Sequence, residues 1–188
     1  MLLQRVRETG RRDVDVRWSY FSLTQVNSKV EGWTIWGEVG AGADVRGRAG
    51  FMAAEAARRQ DPDGTRFERF HMELLRQRHE LEAPIDAPEA LSAAAGAAGL
   101  DLERFERDRQ DPAMLQALAR DHQRAVSEHG VFGTPTFVLA DGQAAYVRLR
   151  PAPANPDEAL AVFDELTRLV GERPYVLEVK RPSRRDRT

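Results

Sequence analysis

The residues here that could do chemistry are histidines, one glycine-rich loop, a few acidic neighbours, a proline-bearing turn and a set of aromatics. The four histidines, His71, His79, His122 and His129, could in principle hold a metal or move a proton. Each pair stands about two helical turns apart, whereas two ligands to one ion on a helix need a spacing of about three or four residues. Surface or interface positions are expected instead, with His71 or His79 open as pocket-lining groups. The loop Gly37–Gly42 follows Trp33–Trp36 rather than a clear strand. It lacks the Gly-Lys-Ser/Thr of a phosphate loop and the third glycine of a dinucleotide fingerprint, so it reads as a flexible connection. Glu103 and Glu106 lie among arginines at helical spacing, which describes a solvated face rather than an acid–base pair. The chain contains no cysteine. Thiolate nucleophiles, disulfides and cysteine metal sites are all excluded by that one fact.

The stretch Gly130–Val131–Phe132–Gly133–Thr134–Pro135–Thr136–Phe137–Val138–Leu139 is the most informative in the chain. It reads as a helix stop, a tight turn and an apolar strand with a proline at its start. Proline has no N–H to give a central ladder, so Pro135 belongs at a strand start or in a turn. The Thr134–Pro135 bond is a candidate for the cis form, which X–Pro bonds alone adopt cheaply. Phe21, Trp33 and Trp36 could line an apolar cleft beside it, against the plainer reading that they pack helices onto a sheet.

The elements that position these residues follow from periodicity. Leu2, Leu3 and Val6 recur at helical spacing before Gly10, which reads as the last turns of a helix whose start lies upstream. Asp13–Trp18 alternates strictly and predicts a half-buried strand. From Leu23 to His129 the pattern is helical. Ala49–Gln60 and Thr65–Glu80 are separated by the breaker Asp61–Pro62–Asp63–Gly64, a third segment runs from near Asp86 to Gly99, and a short fourth covers Asp101–Arg107. The fifth is capped by Asp111, has Pro112 at its first position and stops at Gly130. Its expected apolar face is Leu115, Leu118, Ala119 and Val126, with His122 beside them. Asp141–Gly142 then predicts a hairpin joining Phe137–Ala140 to Ala144–Arg150. Asn155–Pro156–Asp157–Glu158 opens a last helix, with Leu160, Phe163, Leu166 and Val170 inward and Gly171 as its stop. Tyr175–Lys180 alternates briefly before a basic tail, Arg181–Thr188.

At 188 residues with net charge −2, the chain suits one domain, or one domain with a sizeable insertion, and has no basic field arguing for nucleic acid. No apolar run approaches the roughly 20 residues that span a bilayer. The N-terminal residues lack a signal region, so a cytoplasmic location is expected.

This order of elements, with its Gly-Thr-Pro-Thr turn, resembles the DsbA-like branch of the thioredoxin superfamily. The likeness is densest at Val16–Asn27, Phe67–His79, Gly130–Leu139 and Glu172–Pro182. Kappa glutathione S-transferases and 2-hydroxychromene-2-carboxylate isomerases are more distant relatives. The resemblance implies an α/β thioredoxin-like fold with a large helical insertion. Residues 1–22 and 130–180 would form a discontinuous core, 23–129 the insertion and 181–188 a flexible tail.

The resemblance also implies thiol–disulfide oxidoreduction, with Pro135 as the cis-proline and Gly133, Thr134 and Pro135 facing the substrate. A cis bond there would turn the neighbouring carbonyl and amide outward, where a peptide can add like an extra strand. The family's Cys-x-x-Cys belongs at the end of a first strand that this sequence does not include. Activity is therefore expected to be absent and the chain is expected to be truncated at its start. A non-catalytic peptide- or thiol-binding module and a glutathione-dependent isomerase or transferase stand as alternatives. No resident cofactor is expected, and glutathione or another low-molecular-weight thiol is the candidate small ligand. The expected partners are a small thiol or peptide, not nucleic acid or membrane, together with a homodimer formed by strand exchange that fills the gap in the sheet.

Overall fold

The structure, a computed structural model, describes residues 2–37, 45–61, 64–149 and 152–180. Most of the loop Gly37–Gly42, the middle of the Asp61–Gly64 breaker and the tail from Arg181 lie outside the described residues. The chain divides into two compact units, Arg17–Gly133 and Met1–Val16 with Thr134–Thr188.

The first unit is helical. Its elements are α2 (Leu23–Asn27), α3 (Arg48–Arg59), α4 (Thr65–His79), α5 (Pro88–Ala97), α6 (Leu102–Asp108) and α7 (Leu115–His129). Helix α3 packs against α4, α5, α6 and α7. Its alanines, Ala53, Ala56 and Ala57, are fully buried, as are Ala94 and Ala95 of α5; small side chains let helix axes approach closely. Around them lie Ile35, Phe70, Leu91, Phe105, Leu115 and Leu118, with the Phe70 and Phe105 rings tilted at 5.7 Å.

The helix ends follow local chemistry. Asp101 accepts from the Arg104 N–H, and Gly130 closes α7 at φ 60° while its N–H and that of Val131 return to the Val126 and Ala125 carbonyls. The predicted fifth helix begins differently. Pro112–Met114 is a 3₁₀ turn, because the Asp111 carboxylate takes the Ala113 N–H and the Asp111 carbonyl takes that of Met114 three residues on. Its buried face is Leu115, Ala117, Leu118 and His122; burial stops there, and Val126 is exposed.

The second unit holds α1 (Leu2–Glu8), α8 (Pro156–Glu172) and an antiparallel hairpin of β1 (Thr136–Val138) and β2 (Ala144–Tyr146), with Phe137 opposite Ala145. Leu2 and Val6 of α1 and Ala159 and Leu160 of α8 are buried, and the two helices pack together. Arg11 pairs with Asp157, and Arg12 Nε reaches Asp164 Oδ1 at 2.9 Å. Asn155 caps α8 by accepting from the Asp157 and Glu158 N–H groups. Gly171 does not stop this helix but lies inside it. A Cβ there would come 3.2 Å from Leu139 Cδ1, and its carbonyl accepts from Gln143 Nε2 at 2.9 Å. The glycine thus serves close approach of the hairpin.

Both strands are shorter than the sequence pattern predicts. The expected strand Asp13–Trp18 is not one: the described sheet contains β1 and β2 alone. The alternation is real, since Val14, Val16 and Trp18 are half-buried and Asp13, Asp15 and Arg17 exposed. A strand also needs a neighbour to take its N–H and carbonyl groups. The Val14 carbonyl instead accepts from the Arg7 guanidinium at 3.0 Å. No helix among the described residues is long and apolar enough to cross a membrane.

Burial separates the costs of two truncations. Phe105→Ala, at a fully buried ring, should lower stability by about 3–5 kcal/mol. Leu81→Ala, where the side chain is 59% exposed, should change it by less than about 0.5 kcal/mol. Urea melts of the two variants check the contrast.

Candidate functional site

Thr134 and Pro135 lie exposed at the start of β1, joined by a cis peptide bond. From Pro135 onward the direction of the backbone groups follows from the hairpin register. The Pro135 carbonyl accepts from the Val147 N–H at 3.0 Å, and the Leu139 N–H donates to the Gln143 carbonyl at 2.8 Å. Residues 135, 137 and 139 therefore turn their polar groups toward β2. Antiparallel alternation turns those of Thr136 and Val138 to the other side, where no described strand lies. Among the described residues, neither the N–H nor the carbonyl of Thr134 has a hydrogen-bond partner. Gly133 is buried, while Phe132 is 71% exposed. The result is a short open strand edge preceded by an exposed aromatic side chain.

Phe21 and Trp36, in the helical unit, come together around His122. The Phe21 and His122 ring centroids are 4.8 Å apart, and those of Trp36 and His122 are 5.4 Å apart. His122 Nδ1 accepts the Ser22 N–H at 3.2 Å, and Ser22 in turn caps α2 by accepting from Gln25. A nitrogen that accepts carries no proton, and burial holds the His122 imidazolium below its usual range. Trp33 stands apart from this trio. It lines an open groove of about 630 Å³ with Leu23, Thr24, Asn27, Ser28, Val30 and Arg46.

The expectation of surface or interface histidines fails for His122, which is buried, while His71, left open as a pocket-lining group, is half-buried. His71 packs against Trp18 at 4.3 Å and Phe67 at 6.1 Å between ring centroids. Burial lowers its pKa to about 4, against a smaller opposing pull from Glu68. Both histidines find aromatic pockets that accept a neutral imidazole. Their helical spacing was visible in sequence, but apart from Phe67, one turn from His71, the aromatics that cover them come from distant segments.

A second polar cluster joins residues far apart in the chain, beyond the local pairs that Glu55 makes with Arg58 and Arg59 at helical spacing. Buried Glu55 on α3 accepts from Arg58, Arg59 and the Tyr20 hydroxyl, and Arg58 lies 4.5 Å from the Tyr20 ring centroid. Asp121 on α7 takes the Tyr20 N–H at 3.1 Å and stands 3.6 Å from Arg58. Burial is the main force pushing the Tyr20 phenol well above its ordinary range. This cluster ties the segment leading into Phe21 and Ser22 to α3 and α7. It holds the aromatic trio in place and offers no exposed reactive atom.

Over residues 43–152, more than half of the chain, the sequence matches the family model described as DSBA-like thioredoxin domain. The matched span runs from before α3 through α7 and the hairpin. No curated protein matches the chain.

The imidazole of His71, half-buried against Trp18, makes stability depend on pH. Its folded pKa is depressed, so the unfolded chain takes up a proton first as pH falls. Stability should be fully present above about pH 6.5 and fall between there and pH 4, by roughly 3 kcal/mol at most. His71→Leu should flatten that part of the curve, measured by urea melts from pH 7.5 to 4.

Proposed function

The chain belongs to the DSBA-like thioredoxin family, and from that premise we propose that it is a binding module rather than a redox enzyme. It takes an extended peptide, or a low-molecular-weight thiol such as glutathione, along the open edge of β1 at Thr134. The observation that supports this reading is exposed Thr134, whose backbone N–H and carbonyl have no hydrogen-bond partner among the described residues. An extended chain can satisfy both groups at once, as an added strand does, and main-chain hydrogen bonds then supply affinity with little demand on side chains.

Disulfide exchange is absent from this reading for a chemical reason. The reaction proceeds by attack of a thiolate on a disulfide sulfur, and these 188 residues contain no cysteine. Serine and threonine hydroxyls cannot replace it, because they neither ionise near neutral pH nor form a mixed disulfide. The Trp33 groove is a weaker alternative, since it is wide open and carries a single guanidinium, that of Arg46.

Two measurements test the proposal together. The chain should show no dithiol-dependent reduction of insulin. Fluorescence anisotropy with labelled extended peptides should show binding that Thr134→Ala leaves within about twofold. Thr134→Pro, which removes the N–H, should weaken it about tenfold, the equivalent of one hydrogen bond. Circular dichroism confirms that both variants are folded. Insulin turnover by the cysteine-free chain, or unchanged peptide binding in Thr134→Pro, would overturn the reading.

A further inference from the structure

We propose that two copies of this chain exchange their C-terminal segments, Leu177–Lys180 of one copy adding as an antiparallel strand beside Asp15–Trp18 of the other. The proposal does not rest on the Thr134 edge. It needs only the backbone of these two stretches.

The two stretches share one property: among the described residues, neither has a backbone partner in a single chain. Tyr175, Leu177 and Val179 alternate along the segment after α8 and are 75%, 93% and 75% exposed. Among the described residues the backbone groups of Leu177–Lys180 make no hydrogen bond, and neither do those of Asp15–Trp18. An exposed apolar run with a free backbone is a strand waiting for an edge. At the other stretch the half-buried, alternating residues around Val16 have the pattern of a strand without its ladder.

Charge selects the occupant and the register. With Lys180 opposite Asp15, Val179 faces Val16, Glu178 faces Arg17 and Leu177 faces Trp18. Two opposite-charge pairs then lie on one face and two apolar pairs on the other, which is the arrangement that stabilises cross-strand neighbours. A shift of two residues sets Glu178 against Asp15, or Lys180 against Arg17, and like charges oppose. A shift of one puts charged side chains against apolar ones. Because each copy supplies both a donor and an acceptor, the exchange closes on itself as a two-fold dimer.

Sedimentation velocity on the full chain should show a dimer. Arg17→Glu and Glu178→Arg should each weaken it at least tenfold, and the double variant Arg17→Glu/Glu178→Arg should restore it. The absence of native cysteine allows a direct check of register. Val16→Cys and Val179→Cys chains, mixed and oxidised, should form a two-chain cross-link far more readily than either variant alone. A monomer at all concentrations, a dimer insensitive to both charge reversals, or a Val16→Cys/Val179→Cys chain that cross-links only within itself would each overturn the proposal. Intact peptide binding in a monomeric charge variant would separate this failure from any failure of the Thr134 reading.

Discussion

A strand can satisfy its backbone only through a neighbour, and this requirement governs the Thr134–Thr188 side of the protein. The hairpin of β1 and β2 is three residues on each strand, and an isolated pair that short is at best marginal in water. What supports it is α8. Gln143 donates to the Gly171 carbonyl from the hairpin turn, and Leu139 packs where a side chain on Gly171 would have been. Helix α8 is in turn covered by α1 and pinned by Arg11 and Arg12. The helical unit has no such dependence. It has its own core around Phe70 and Phe105, and among the described residues no buried side-chain nitrogen or oxygen lacks a partner.

The same requirement defines the candidate site. Its chemistry lies in main-chain groups, the Thr134 N–H and carbonyl, rather than in a reactive side chain. That suits recognition of an extended segment and is silent as to covalent chemistry, which here would need a thiolate the sequence does not contain. The buried polar clusters agree with a scaffold role. Glu55, Tyr20, Arg58 and Asp121 satisfy one another, and His122 accepts from the Ser22 backbone. These groups fix the path of the chain through Phe21 and Ser22.

Helix boundaries were legible in the sequence because their causes are local. Asp101, Asn155 and Gly130 act on backbone groups within a few residues of themselves. The hairpin turn was legible for the same reason: Gly142 takes φ 87° and Asp141 receives the Gln143 N–H. Features that depend on distant neighbours were not. The Asp13–Trp18 alternation could reveal half-burial but not whether a ladder partner exists. The Asp86 carboxylate, which receives the Gly47 and Gly50 N–H groups at 2.6 and 2.9 Å to cap α3, carries no local mark of that role. Gly171 looked like a stop because glycine commonly ends helices, whereas its use here is set by Leu139. Of the candidate site, the Gly-Thr-Pro-Thr turn was readable. The aromatic cover of half-buried His71 and buried His122 was not, since Trp18, Phe21 and Trp36 reach them from far along the chain.

The central claim, that the Thr134 side of β1 is an open edge that an extended segment completes, is tested most directly by residue-resolved amide hydrogen exchange. In the free chain the Thr134 and Val138 amides should exchange with little protection, while the Leu139 and Val147 amides, which donate across the hairpin, exchange more slowly. Added peptide should slow Thr134 and Val138 selectively. If Thr134 is already protected in the free chain, or if saturating peptide leaves its exchange unchanged, the account is contradicted.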